Sequence, residues 1–107
     1  MLSNAAMQDI VSHLGGEAKL AEIGARGVFA DESHVSFKLV RPNPRRVHTV
    51  TIARQPDGLY AMSCFGALTP DAFVAPLIAG ADGILPENLA TVLGRLTGVE
   101  SLHHRHF

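Results

Sequence analysis

The stretch of residues 34–65 constrains the fold more than any other part of this 107-residue chain. It holds three runs of alternating apolar and polar residues, separated by two turn signals, which is the pattern of a three-stranded antiparallel meander. Val35, Phe37 and Leu39 alternate with Ser36 and Lys38, as a half-buried strand requires. Arg41-Pro42-Asn43-Pro44 ends that strand. Proline has no N–H to donate to a ladder, and it pushes the residue before it to extended backbone. The loop is therefore expected to be stiff and to project from the sheet.

Residues 47–54 read as the next strand, with His48, Val50, Ile52 and Arg54 on one face and Thr49, Thr51 and Ala53 on the other. Gln55-Pro56-Asp57-Gly58 fits a type I turn with Gly58 at the left-handed bulge position. That turn sets Gln55 against Leu59, Ile52 against Met62 and Val50 against Cys64. The paired residues are apolar and share a face, so turn chemistry and hydrophobic pattern select the same register. Arg54 then lies opposite Tyr60. Phe37 and Phe65 are expected in the core.

The flanks add helices. Ser3 or Asn4 can cap a first helix over residues 4–14, where Met7, Ile10, Val11 and Leu14 form one apolar stripe. Gly15-Gly16 stops it. Residues 17–23 favour helix but are short and lie between glycines. Gly24 and Gly27 favour a bent first strand over residues 20–29, which is the preferred reading. Thr69-Pro70-Asp71 resembles a helix start, yet Pro76 follows closely; residues 73–79 read as an edge strand or a single turn, and residues 80–83 as a break. The last helix begins at Pro86, carries Leu89, Val92, Leu93 and Leu96 on one stripe, and ends at Gly98. The expected fold is α+β in two layers: an antiparallel meander sheet of three to five strands, with the N-terminal and C-terminal amphipathic helices packed on one face. Residues 1–100 make one domain, and the His-rich tail 101–107 is expected to fray.

Composition narrows the function classes. Apolar residues make up 47% and charged residues 18%, so the chain belongs with globular rather than disordered sequences. The net charge of −1 supplies no global field for nucleic acid or membrane, so a nucleic-acid role would need a local patch. The one cysteine, Cys64, cannot form a disulfide within the chain, and a reducing cytoplasm is the simpler setting. No apolar run reaches membrane-spanning length. The first residues lack the basic start of a signal peptide.

Several segments also resemble a family of small uncharacterised proteins encoded by phages and prophages. They are His13-Leu14-Gly15-Gly16, Ile23-Gly24-Ala25-Arg26, Val35-Ser36-Phe37-Lys38-Leu39, Val50-Thr51-Ile52 and Tyr60, then Gly83-Ile84-Leu85 through Leu89, Leu93 and Thr97-Gly98-Val99. Their order and spacing match over most of the chain. The chain departs from the family at Gly58, where aspartate is usual, and at Cys64, where an aromatic is usual. The Arg45-Arg46 pair and the proline-rich turn are also particular to it. The resemblance implies a phage or mobile-element origin and no catalytic residue.

The candidate contact residues are Lys38, Arg41, Arg45, Arg46, His48 and Arg54. A stiff β-ribbon tip bearing arginines can contact phosphates. The plainer reading is a solvated hairpin whose charges keep the sheet soluble, with Tyr60 as the one aromatic at hand for base stacking. His103, His104 and His106 could ligate a metal, but a frayed tail cannot hold a fixed geometry. Cys64 is expected to be a buried, inert thiol beside Val50. Ser63 has no glycine-flanked elbow, and the acidic residues sit mostly in turns, so neither a nucleophile nor an acid–base pair stands out. No phosphate-binding glycine motif is complete, and no cofactor is implied. The expected function is non-enzymatic protein binding in the host cytoplasm, with an inhibitor of a host defence system as one concrete form. Nucleic-acid binding through the arginine hairpin is the alternative, and self-association through a sheet edge the third.

Overall fold

The computed structural model describes residues 4–30, 34–67 and 75–99. Their elements are α1 (Asn4–His13), α2 (Gly16–Glu22), β1 (Ala25–Ala30), β2 (His34–Leu39), β3 (Thr49–Arg54), β4 (Tyr60–Phe65), β5 (Leu77–Ile84), a 3-10 turn (Pro86–Asn88) and α3 (Leu89–Thr97). The strands form one antiparallel sheet in the order β1-β2-β3-β4-β5, with the expected meander at its centre. The fold is α+β, as its sequence pattern implies.

Parity along the strands explains the layering. Val35, Phe37 and Leu39 on β2, Val50 and Ile52 on β3, and Tyr60, Met62 and Cys64 on β4 are all buried. They pack with Ile10 of α1, Leu14 just after it, Leu20 of α2 and Leu89 and Leu93 of α3 in one core. The described helices therefore cover one face of the sheet. Their alternating neighbours on β3 and β4 (Thr49, Thr51, Ala53, Ala61, Ser63 and Phe65) are only partly covered.

The β3–β4 register is the expected one: Val50 faces Cys64, Ile52 faces Met62 and Arg54 faces Tyr60. The turn closes with Gly58 N–H donating to Gln55 O at 3.0 Å and Gln55 N–H donating to Leu59 O at 2.8 Å. Gly58 takes φ 85, which glycine reaches without a Cβ penalty.

Five expectations need correction. Residues 20–22 belong to α2, not to a bent strand, and β1 begins at Ala25. Glu17 to Glu22 are good helix formers, the Lys19–Glu22 ion pair spans one turn at 2.8 Å, and Leu20 anchors the helix in the core. The bend foreseen at Gly27 is present: residues 27 and 28 oppose a single residue of β2, and Gly27 has φ 62. Second, residues 80–83 do not break the chain. β5 runs through them and absorbs the glycines in a bulge, where Asp82 and Gly83 oppose Ala61 alone. Third, β3 starts at Thr49 rather than at residue 47, and Val47 drops into the core. Fourth, Phe37 is a core residue but Phe65 is not: its odd position on β4 puts it on the other face, paired with Thr49 and Leu77.

The fifth correction concerns the proline loop, which does not project freely. Arg45 N–H donates to Thr97 O at 3.2 Å, Val40 N–H donates to Gly24 O at 2.9 Å, and a guanidinium N–H of Arg41 donates to Glu22 O. The expected helix start at residues 69–71, the beginning of the 73–79 segment and the His-rich tail lie outside the described residues. The end of that segment, from Leu77, is strand.

Candidate functional site

Two surfaces emerge, and they meet at one end of the sheet. The first is the face without a described helix. Cross-strand pairing sets its rows. One row runs Arg26, Lys38, Thr49, Phe65, Leu77; the next runs Phe29, Ser36, Thr51, Ser63, Gly80. A third joins His34, Ala53 and Ala61. None of these cross-strand-paired residues is acidic, and their middle is small and neutral; the third row ends at the β5 bulge, where Asp82 stands opposite Ala61. Phe29 and Leu77 are 58% and 63% exposed, so both margins carry apolar side chains in reach of a partner.

The second surface is the loop between β2 and β3. Asn43 holds it as a backbone mimic: its side chain accepts from Val47 N–H and donates to Val47 O, both at 2.8 Å. Pro44 lies against Gly98, whose φ of 80 ends α3. Gly24 approaches the Arg41 backbone closely enough that a Cβ there would sit 2.9 Å from Arg41 N. Two helix ends therefore clamp the loop. Their carbonyl groups are partners for its donors, since a helix C-terminus leaves carbonyls unpaired.

This clamping places charge. Arg26, Lys38, Arg41, Arg45 and Arg46 are all exposed at the same end of the sheet. They are five of the chain's nine Lys and Arg residues, so a chain of net charge −1 carries a basic pole. Glu22 is the nearest carboxylate in sequence to the clamp, and it is engaged by Lys19. The Lys19 hydrogen bond and charge, with a lesser share from Arg41, hold its carboxyl below the usual range. Beside the loop is a recess of about 240 Å3, lined in part by Arg41, Arg46 and His48.

The predicted constellation is thus only partly assembled. Lys38, Arg41, Arg45, Arg46 and His48 gather at the loop end. Arg54 does not join them; it stands at the far end of β3, about 17 Å away at ~3.4 Å per residue. There it pairs with Tyr60, which is no stacking platform. Tyr60 is buried and donates to Asp9 Oδ2 at 3.0 Å, and burial, reinforced by that bond, raises its pKa. Sequence reasoning missed Arg26, Phe29, Phe65 and Leu77. The alternation on β4 was the usable signal for Phe65, whereas Phe29 and Leu77 follow from bulges that shift parity.

Cys64 is fully buried, and burial pushes its thiol up to about 11, away from the thiolate form a nucleophile needs. Among the described residues, no three His, Cys, Asp or Glu side chains gather closely enough to hold a metal. No described helix is long and apolar enough to cross a membrane. The chain matches no protein-family model, no curated protein and no solved structure.

Proposed function

We propose that the chain is a non-enzymatic binding module that takes a partner protein on the open face of its sheet. The observation that carries this reading is the make-up of that face: small Ser, Thr and Ala residues in the middle and Phe29, Phe65 and Leu77 towards the margins, with Asp82 confined to the bulge at the edge of β5. Protein interfaces are enriched in aromatics and depleted in Ser and Ala, so Phe29 and Phe65 are the anchors of this reading. Small side chains also let a partner approach the strands closely. The resemblance to phage-encoded proteins supplies a setting, a host cytoplasm, and a concrete form, an inhibitor of a host defence protein. Capture from host extract tests the reading, with Thr51→Arg placing a charge at the centre of the face. Wild-type protein retains a partner that Thr51→Arg loses; equal retention by both refutes the proposal.

A second reading, nucleic-acid binding, is favoured by the basic pole, because phosphate contacts supply most non-specific affinity. It shifts the contact from the middle of the face to the loop end. Affinity for single-stranded DNA or RNA that falls steeply with salt and drops on Arg45→Ala plus Arg46→Ala supports it, and no affinity at low salt refutes it.

A further inference from the structure

Arg46 is the one non-glycine residue with positive φ among the described residues, at φ 57. Glycine would adopt this conformation without strain, and arginine does not. Such strain persists where the surroundings enforce it, and it concentrates at binding sites. The surroundings here do enforce it. Arg46 N–H donates to Asn43 O at 3.0 Å, and the Asn43 side chain fixes Val47, the next residue. The loop is held on either side by its bonds to Gly24 and Thr97.

The enforced turn sets Arg46 in the wall of the 240 Å3 recess, together with Arg41 and His48. Buried Leu39 and Val47 also line it. The recess is smaller than the ~300–1,000 Å3 pockets that take drug-sized ligands, so it suits a single small group. None of its described lining residues is a carboxylate. Arg41 is oriented by its bond to Glu22 O. His48 Nδ1 lies 3.0 Å from Thr49 Oγ1; in the tautomer where Nδ1 accepts from the Thr49 hydroxyl, Nε2 carries the N–H that a phosphate oxygen needs. Two arginines and a histidine lining a small recess supply donor chemistry for an oxyanion, and a guanidinium fork matches phosphate geometry.

We propose that this recess binds a phosphate group, held by Arg46, Arg41 and His48. The proposal rests on the loop alone and is independent of the protein-binding reading of the open face. A free phosphate, a nucleotide or a nucleic-acid backbone presents the same chemistry, and the test separates these sources.

The experiment titrates the 15N-labelled full chain with inorganic phosphate, a nucleoside monophosphate, a twelve-residue single-stranded oligonucleotide and, as a control, acetate. Saturable shifts of the Arg46, Val47 and His48 amides with phosphate or the nucleotide are expected, with acetate weaker by tenfold or more. Oligonucleotide affinity tenfold or more above the nucleotide, with shifts reaching Lys38 and Arg26, identifies a nucleic-acid backbone as the source; equal affinity identifies a small phosphate. Arg46→Gly keeps the backbone turn and removes the guanidinium, so it should melt no lower than wild type while phosphate affinity falls tenfold or more. Phosphate shifts that do not saturate, acetate binding equal to phosphate, or unchanged affinity in a folded Arg46→Gly each overturn the proposal. Arg46→Lys guards against loss of fold: it keeps the charge, and its phosphate affinity should lie between that of wild type and that of Arg46→Gly. Full wild-type affinity in both variants overturns it.

Discussion

Truncating Met62 and Phe65 to alanine, one at a time, separates the two faces of the sheet. Both residues are large and lie on β4, three positions apart. Met62 is 1% exposed and faces Ile52 inside the core. Its truncation leaves a cavity under the helices, a change that costs about 2–5 kcal/mol in well-packed interiors. Phe65 lies on the open face between Thr49 and Leu77. Its truncation removes cross-strand contacts of about 0.2–1 kcal/mol each and seals off no void. In urea, with a slope of roughly 1–3 kcal/mol per molar, Met62→Ala should lower the unfolding midpoint by about 1 M or more. Phe65→Ala should shift it by a small fraction of that, with the slope unchanged. A slip of one residue in the register would exchange these roles, because the side-chain period of a strand is two. Equal losses, or a larger loss for Phe65→Ala, would refute both the register and the open face.

Other perturbations probe the clamp and the buried groups. Gly24→Ala puts a Cβ 2.6 Å from Arg41 Cβ at φ 84; it should lower stability by at least ~1–2 kcal/mol in a thermal melt and loosen the arginine loop in hydrogen exchange. Cys64 should resist an aromatic disulfide reagent in the folded protein and react fully in denaturant; fast reaction of the native protein would contradict its burial. Its thiol is pushed from 9.0 to about 11, so the contribution of the neutral thiol is complete below pH 9 and is lost as pH rises towards 11. Stability should fall by about 2–3 kcal/mol across that window, with Tyr60 adding to the fall, and the loss should shrink in Cys64→Ala. Tyr60→Phe removes the bond to Asp9 and should cost about 0.5–1.5 kcal/mol in urea unfolding.

The legible parts of the chain were those where two local signals agreed. Between β3 and β4, the turn Gln55-Pro56-Asp57-Gly58 and the apolar parity of Val50, Ile52, Met62 and Cys64 imply one register, and that register is present. For α3, Gly98 at the end and the Leu89/Leu93 stripe agree in the same way, while Pro86, the expected first residue, opens a 3-10 turn and the α-helix itself starts at Leu89. Misreadings came where glycine was the only signal. Gly24 and Gly27 drew the strand reading into residues 20–22, although the side chains there favour helix. Gly80 and Gly83 looked like a break, but a bulge accommodates glycine inside a paired strand. The arginine loop was legible as stiff but not as clamped. Its restraints come from carbonyls of Gly24, Glu22 and Thr97, and one of these lies more than fifty positions away in the chain. Arg54 was grouped with the loop by proximity in sequence, and the extended length of β3 separates them.

The central claim is that a partner docks on the sheet face opposite the helices. The most direct measurement places a benzophenone photo-crosslinker at Phe65, where an aromatic already stands, and at exposed Arg95 on α3 as a control. On irradiation in host extract, the account predicts a discrete covalent adduct from position 65 and none from position 95. No adduct at 65, or the same adduct from both positions, would contradict it.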